Sequence, residues 1–145
     1  TYVILGAADI GFVGYDDLLE NTEDNLVVLK KTNIGKCRLS IASNHQKLNF
    51  SSKKTFKVAT KFVNITKNYF DNLNIQVDIT KLNGSVELAV QYGIADFIVD
   101  LVQSGKTLVE NCLFENSVIH YDISTKIISS FYAFDCKQKL IKSLL

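Results

Sequence analysis

Gln103-Ser104-Gly105-Lys106-Thr107 sets two hydroxyls, a glycine and an ammonium within five consecutive residues. Small side chains let a ligand approach the backbone, and the first N–H groups of a helix have no intrahelical acceptor. A run like this at a helix start therefore suits a phosphate. Just upstream, residues 95–102 are almost continuously apolar and rich in β-branched side chains, broken only by Asp96 and Asp100. That pattern predicts a parallel strand buried on both faces. An acid near the end of such a strand is costly unless it meets polar partners, so Asp100 needs a reason. Further upstream, Asn83-Gly84-Ser85 precedes Val86, Leu88, Ala89 and Tyr92 at helical spacing, and Gly93 stands where the helix would end. Glu87 falls in the first turn of that helix, where a negative charge is favoured by the helix dipole alone. On spacing alone, Ser-Gly-Lys-Thr is also ordinary punctuation between a strand and a helix, and Asp9 could simply orient a turn.

The elements that must position these residues alternate between strand and helix. Residues 1–5 read as a helix end closed by Gly6, residues 9–13 as a short buried strand opened by Asp9, and residues 15–21 as an acidic helix. Strands follow at residues 26–31 and 37–42, the second with Cys37, Leu39 and Ile41 on one face. Lys36 and Arg38 would share the opposite face, either as solvated charges or as a pair suited to a pyrophosphate. A polar stretch over residues 43–55 predicts a lobe boundary or an exposed loop, with the first lobe ending near Asn49. Beyond it come a strand at residues 57–60, a helix at about residues 65–73 burying Ile65, Tyr69, Phe70 and Leu73, and a strand at residues 76–80. After the Ser-Gly-Lys-Thr run, a helix at residues 107–111 leads to strands at residues 113–121 and 124–131. Asp135 is the expected cap of a final amphipathic helix, residues 136–145, that carries Leu140, Ile141, Leu144 and Leu145. This order predicts two α/β lobes joined by crossing strands, with ligands outside the strand carboxyl ends.

Composition narrows the function classes. A chain of 145 residues with 47% hydrophobic and 21% charged residues has the makeup of a globular protein of one domain or two small lobes. A formal net charge of +1 supplies no basic surplus for nucleic acid or membrane, so a small anionic ligand held by local geometry is the expected partner. No apolar run approaches the roughly 18 residues of a spanning helix, and the cytoplasm is the expected location. Cys37, Cys112 and Cys136 are too widely spaced for a disulfide framework or a zinc site and read as small core residues. His45 and His120 lack companion ligands at metal spacing.

LNGSVELA followed by GIADFIVDLVQSGKTL resembles the signature region of the ATP phosphoribosyltransferase catalytic subunit of histidine biosynthesis. GAADIGFVGYDDLLE, GKCRLSIAS and KVATKFVNITKNYF are similar to family segments in the family's order, so the resemblance covers nearly the whole chain. It implies an α/β, two-lobed, periplasmic-binding-protein-like (type II) fold with the active site in the inter-lobe cleft. Residues 1–49 and 121–145 would form the first lobe and residues 50–120 an inserted second lobe. It further implies transfer of the 5-phosphoribosyl group of phosphoribosyl pyrophosphate to N1 of ATP, with release of pyrophosphate and with Mg2+. On the family pattern Asp100, Gln103, Ser104, Gly105, Lys106, Thr107 and Leu108 bind phosphoribosyl pyrophosphate, the acid reading the ribose hydroxyls. Asp9, Arg38, Gly84, Ser85 and Glu87 are implied as ATP or cleft contacts. No acid–base residue or nucleophile is expected, because adenine N1 already offers its lone pair and the barrier lies in leaving-group departure.

A homodimer and a separate regulatory subunit related to histidyl-tRNA synthetases are implied partners, as for the family's short form. The family's amino-terminal segment, with a Lys-Gly-Arg type turn, would precede Thr1, and these residues alone are expected to turn over poorly. The alternative is a two-lobed module that binds a small anion or effector without catalysis, which needs no acid ahead of a phosphate loop.

Overall fold

The computed structural model describes residues 1–143. They form β1 (Ile10–Gly14), α1 (Tyr15–Glu20), β2 (Leu26–Lys31), β3 (Cys37–Ser43), β4 (Phe56–Thr60), α2 (Val63–Asn72) and β5 (Val77–Lys81). There follow α3 (Glu87–Gln91), β6 (Phe97–Val102), α4 (Lys106–Glu110), β7 (Phe114–Ile123), β8 (Thr125–Ser130) and α5 (Phe131–Ser143). The chain divides into two compact units, one formed by Thr1–Lys36 with the segment from Ile123 onward, the other by Cys37–Asp122. The boundaries expected near residues 49 and 120 therefore move to 36 and 122. Of the two readings of residues 43–55 the exposed loop is the one that holds, because β3 pairs with β6 from Arg38↔Val102 to Ala42↔Ile98 and so joins the second unit.

In the first unit β8 is the centre of a three-stranded sheet, with β1 and β2 antiparallel on either side. Residues 1–6 are hydrogen-bonded turns closed by Gly6 at φ +73°, with Leu5 N–H donating to the Thr1 carbonyl at 3.0 Å. β1 is less buried than its composition suggests, Phe12 being 68% exposed. The last helix begins at Phe131, where the Ser130 hydroxyl accepts the Ala133 N–H at 3.1 Å, so Ser130 does the capping and Asp135 lies inside α5. That helix kinks at Lys137 and buries Ala133 and Ile141, while Leu140 is exposed. Leu144 and Leu145, expected on its apolar stripe, lie outside the described residues.

The second unit is a five-stranded sheet of order β5-β4-β6-β3-β7, with β4 parallel to both β5 and β6 and β6 antiparallel to β3. The apolar run of β6 thus reflects its central position with helices on both faces, not a purely parallel sheet. On one face Ile98, Val102, Ala42 and Ala59 pack against Val86, Ala89 and Val90 of the α3 segment and Leu108 of α4. On the other, Phe97 meets Phe50, Phe56 and Phe70, with ring centroids 5.8, 6.0 and 5.3 Å away. In α2 the residues that bury are Thr66 and Phe70, whereas Leu73 is 48% exposed and Ile65 and Tyr69 only half-buried. The α3 stripe likewise runs through Val86, Ala89 and Val90, leaving Leu88 and Tyr92 outward. Of the cysteines, Cys37 is half-buried and Cys112 and Cys136 are exposed, so none sits in the core as expected.

Candidate functional site

β6 brings Asp100 to the end of the central strand, and the chain then turns through Gln103 and Ser104 into α4. The turn needs glycine: Gly105 takes φ +78°, ψ 0°, a left-handed conformation costing an L side chain roughly 1–2 kcal/mol. The Ser104 hydroxyl accepts the Lys106 N–H at 3.3 Å across the turn. Between this loop and the start of α3 lies a cavity of about 230 Å³ lined by Glu87, Asp100, Gln103, Ser104, Gly105 and Thr107.

Six of the seven residues expected to bind phosphoribosyl pyrophosphate therefore line one cavity, and Glu87 joins them from α3. Lys106 does not: its ammonium is turned outward, 3.6 Å from Glu110 one turn along the helix. Leu108 lines the cavity from the core, only 7% exposed, so its side chain packs and its backbone N–H is what it can offer a ligand. Gly84 and Ser85 precede α3 outside the cavity lining. Asp9 belongs to the first unit, where both of its carboxylate oxygens accept hydrogen bonds from Lys137 Nζ at 2.8 and 2.9 Å.

The two acids of the 95–102 run have opposite surroundings. Asp96 accepts from Lys53 Nζ at 2.5 Å and from the Lys57 N–H at 2.9 Å, and these bonds hold its carboxyl below the ordinary range despite burial. Asp100 accepts the Leu101 N–H at 2.8 Å. Burial pushes its carboxyl above the ordinary range, the Leu101 bond opposes that, and the nearby Glu87 charge adds to it while Lys61 pulls it down. A half-buried acid, raised by desolvation and by a second carboxylate, thus stands at the wall of the cavity.

Arg38 is engaged within the protein. Its Nε and Nη2 donate to the two carboxylate oxygens of Glu115 at 2.5 and 2.6 Å, and its Nη1 donates to the Gln103 carbonyl at 3.2 Å. The Ser40 hydroxyl also donates to Glu115, at 2.7 Å. Sequence reasoning passed over Glu115 and Ser40 because each looks like an ordinary polar strand residue. The available signal was Arg38 itself, the sole arginine of the chain, whose planar fork calls for a carboxylate.

The Arg38 hydrogen bond, with help from Ser40 and against burial, holds the Glu115 carboxyl below its ordinary value. A carboxyl with a depressed folded pKa contributes stability that is complete above the unfolded value, about 4.3, and is lost as pH falls through the lower folded value. Thermal melts are accordingly expected to show Glu115→Gln losing part of the wild-type dependence on pH below about 4, with little change in its shape near neutrality. Superimposable melting-temperature profiles for the two proteins would mean that the pair contributes nothing to folding.

Two α/β units, one of them holding an acid-lined cavity at the carboxyl end of its central strand, make a two-lobed protein with the type II periplasmic-binding-protein-like fold. The fold is shared with the periplasmic aliphatic sulphonate binding protein SsuA from Escherichia coli, at a TM-score of 0.65 over 99% of this chain and 54% of that one; at 14% identity the likeness concerns the fold alone. The family model of HisG, ATP phosphoribosyltransferase, matches residues 1–145, and the chain belongs to that family. It is 44% identical to the ATP phosphoribosyltransferase of Hydrogenobaculum sp. (strain Y04AAS1), covering 100% of this chain and 71% of the relative. Identity to that of Brachyspira hyodysenteriae is 45%, covering 99% and 69%. Among solved structures, the ATP phosphoribosyl transferase (HisG:HisZ) complex from Thermotoga maritima matches at a TM-score of 0.86 and 32% identity, over 99% of this chain and 69% of that one. The activity is transfer of the phosphoribosyl group of phosphoribosyl pyrophosphate to ATP with release of pyrophosphate, the first step of histidine biosynthesis.

Proposed function

We propose that the cavity between the 103–107 loop and α3 holds the phosphoribosyl half of phosphoribosyl pyrophosphate, with Glu87 and Asp100 on the ribose and the loop on the 5-phosphate. The observation that carries this reading is the meeting of two carboxylates with two hydroxyls and a left-handed glycine around one cavity. Carboxylates accept from sugar hydroxyls and repel phosphate, whereas Ser104, Thr107 and the N–H groups that open α4 donate to phosphate. The ligand's own polarity therefore sets its orientation. α4 has only five residues, so its individual N–H groups matter more here than a macrodipole. In transfer to N1 of ATP, positive charge develops on the ribosyl ring as pyrophosphate leaves, and fixed carboxylates beside the ring favour that charge.

Mg2+ fits this surface, since it keeps several waters and binds through one or two carboxylates together with substrate phosphates. Glu87 and Asp100 are the residues that would face it, and the ion would neutralise the departing pyrophosphate. Gly84 and Ser85, which lie off the cavity lining, are assigned to the ATP side. The 32% identity to a chain of a HisG:HisZ complex supports a HisZ-like regulatory subunit as partner, and a homodimeric core belongs to the same proposal. Among the described residues no helix is long and apolar enough to cross a membrane, and a biosynthetic enzyme using ATP is assigned to the cytoplasm.

The test is Thr107→Ala, which removes one hydroxyl at the loop. Titration calorimetry is expected to show phosphoribosyl pyrophosphate binding weakened by about 1–3 kcal/mol, with ATP binding largely intact. Unchanged affinity for phosphoribosyl pyrophosphate in the folded variant would remove the loop from the site.

A further inference from the structure

The register between β3 and β6 ends at Arg38↔Val102, and the next residue, Gln103, is where the chain leaves the sheet for the phosphate loop. At that point the backbone ladder gives out, yet the Gln103 carbonyl still has a donor, because Nη1 of Arg38 reaches it at 3.2 Å. The guanidinium thus extends the pairing of the two strands one residue past its last backbone partner.

Arg38 is itself held from the other side. Both oxygens of Glu115 on β7 receive its Nε and Nη2, and the Ser40 hydroxyl, 1% exposed for the residue as a whole, donates to the same carboxylate. Ser40 lies two residues from Arg38 on β3 and directly opposite Asp100 on β6, so all three project from one face of the sheet. One polar line thus runs along that face from β7 to the loop, passing the strand position opposite the acid that faces the cavity. Within the loop itself the bond from the Lys106 N–H to Ser104 Oγ is short-range. The tie from Gln103 to Arg38 spans 65 residues and relates the loop to the sheet.

We propose that Arg38 is a positioning residue for the transfer reaction: clamped by Glu115 and Ser40, it fixes the exit of β6 into the phosphate loop and so sets the distance between the ribose-reading acid and the phosphate-reading hydroxyls. This replaces the pyrophosphate contact that the strand pattern left open for Arg38 and the ATP or cleft contact that the resemblance implied, and it rests on the loop reading given above. Only arginine can fill the role, because the arrangement uses three donors of one rigid plane, two on a carboxylate and one on a carbonyl. A lysine keeps the charge and loses the plane.

The experiment compares Arg38→Lys, Glu115→Gln, their combination and Thr107→Ala in the assembled enzyme, by steady-state kinetics and by hydrogen exchange of backbone amides. Arg38→Lys and Glu115→Gln are each expected to raise KM for phosphoribosyl pyrophosphate about tenfold and to leave KM for ATP within about twofold. The double variant should be no worse than the poorer single one, since both break one network. Amides of residues 103–107 should exchange faster while those of residues 97–101 stay protected. Two results overturn the proposal. An unchanged KM for phosphoribosyl pyrophosphate in Arg38→Lys, beside a raised one in Thr107→Ala, leaves the loop reading standing and removes the brace. Equal loss for both substrates, with faster exchange throughout β6, makes Arg38 a support of the sheet and nothing more. The loop reading falls on a different signal, an unaltered affinity in Thr107→Ala.

Discussion

Asp100→Asn is expected to lower affinity for phosphoribosyl pyrophosphate about ten- to hundredfold while leaving inorganic phosphate within about twofold, because a hydrogen bond to a charged acceptor contributes roughly 1.5–3 kcal/mol and phosphate has no ribose to offer. The substitution keeps the shape of the side chain and removes its charge. Stability should move the other way. A carboxyl whose folded pKa is raised costs stability as pH climbs from the unfolded value through the folded one, so at neutral pH Asp100 is held at the expense of the fold. Removing the charge should therefore leave the melting temperature at neutral pH unchanged or higher, the usual trade between stability and a working site. Competition binding with both ligands, alongside melting curves, checks the pair of expectations. Equal weakening of both ligands together with a lower melting temperature would show that Asp100 holds the loop in place and does not read the sugar.

The second large effect concerns the opposite face of the same strand. Phe97→Ala should cost the fold about 3–5 kcal/mol, against a typical total of roughly 5–15 kcal/mol. Phe97 is 0% exposed and touches three other rings, Phe50 from the loop, Phe56 from β4 and Phe70 from α2, so truncation leaves a cavity that rigid neighbours cannot close. The loss would also reach the site, since β6 carries Phe97 and Asp100 on its two faces. Urea unfolding followed by far-ultraviolet circular dichroism would report the change. A midpoint within experimental error of wild type would mean that the aromatic layer repacks.

Much of the site could be read without coordinates, for a local reason. The proposed phosphate loop is made of consecutive residues, so Gln103, Ser104, Gly105 and Thr107 come together by chain connectivity, and Asp100 is carried in by the strand that precedes them. Glu87 was legible as a candidate and not as a companion of Asp100, because its place depends on how α3 packs over β6 through Val86, Ala89 and Val90. Lys106 shows the limit from the other direction. Its neighbours in sequence face the cavity, yet helical geometry aims it one turn down α4 at Glu110.

By itself the sequence determined the alternation of strands and helices, the buried central strand, the glycine turn that follows it and the family to which the chain belongs. These rest on periodicity, on the few residues that tolerate left-handed backbone, and on motifs contiguous in the chain. Only the tertiary structure decided that β3 belongs with the second unit and that β6 has one parallel and one antiparallel neighbour. Strand pairing joins residues about 60 positions apart, Arg38 with Val102 among them, and no local pattern records it. The role of Arg38 belongs to the same class. Whether a lone arginine meets a pyrophosphate, water or Glu115 depends on which strand lies beside β3, and here that strand is β7, 77 residues further along the chain at the contact.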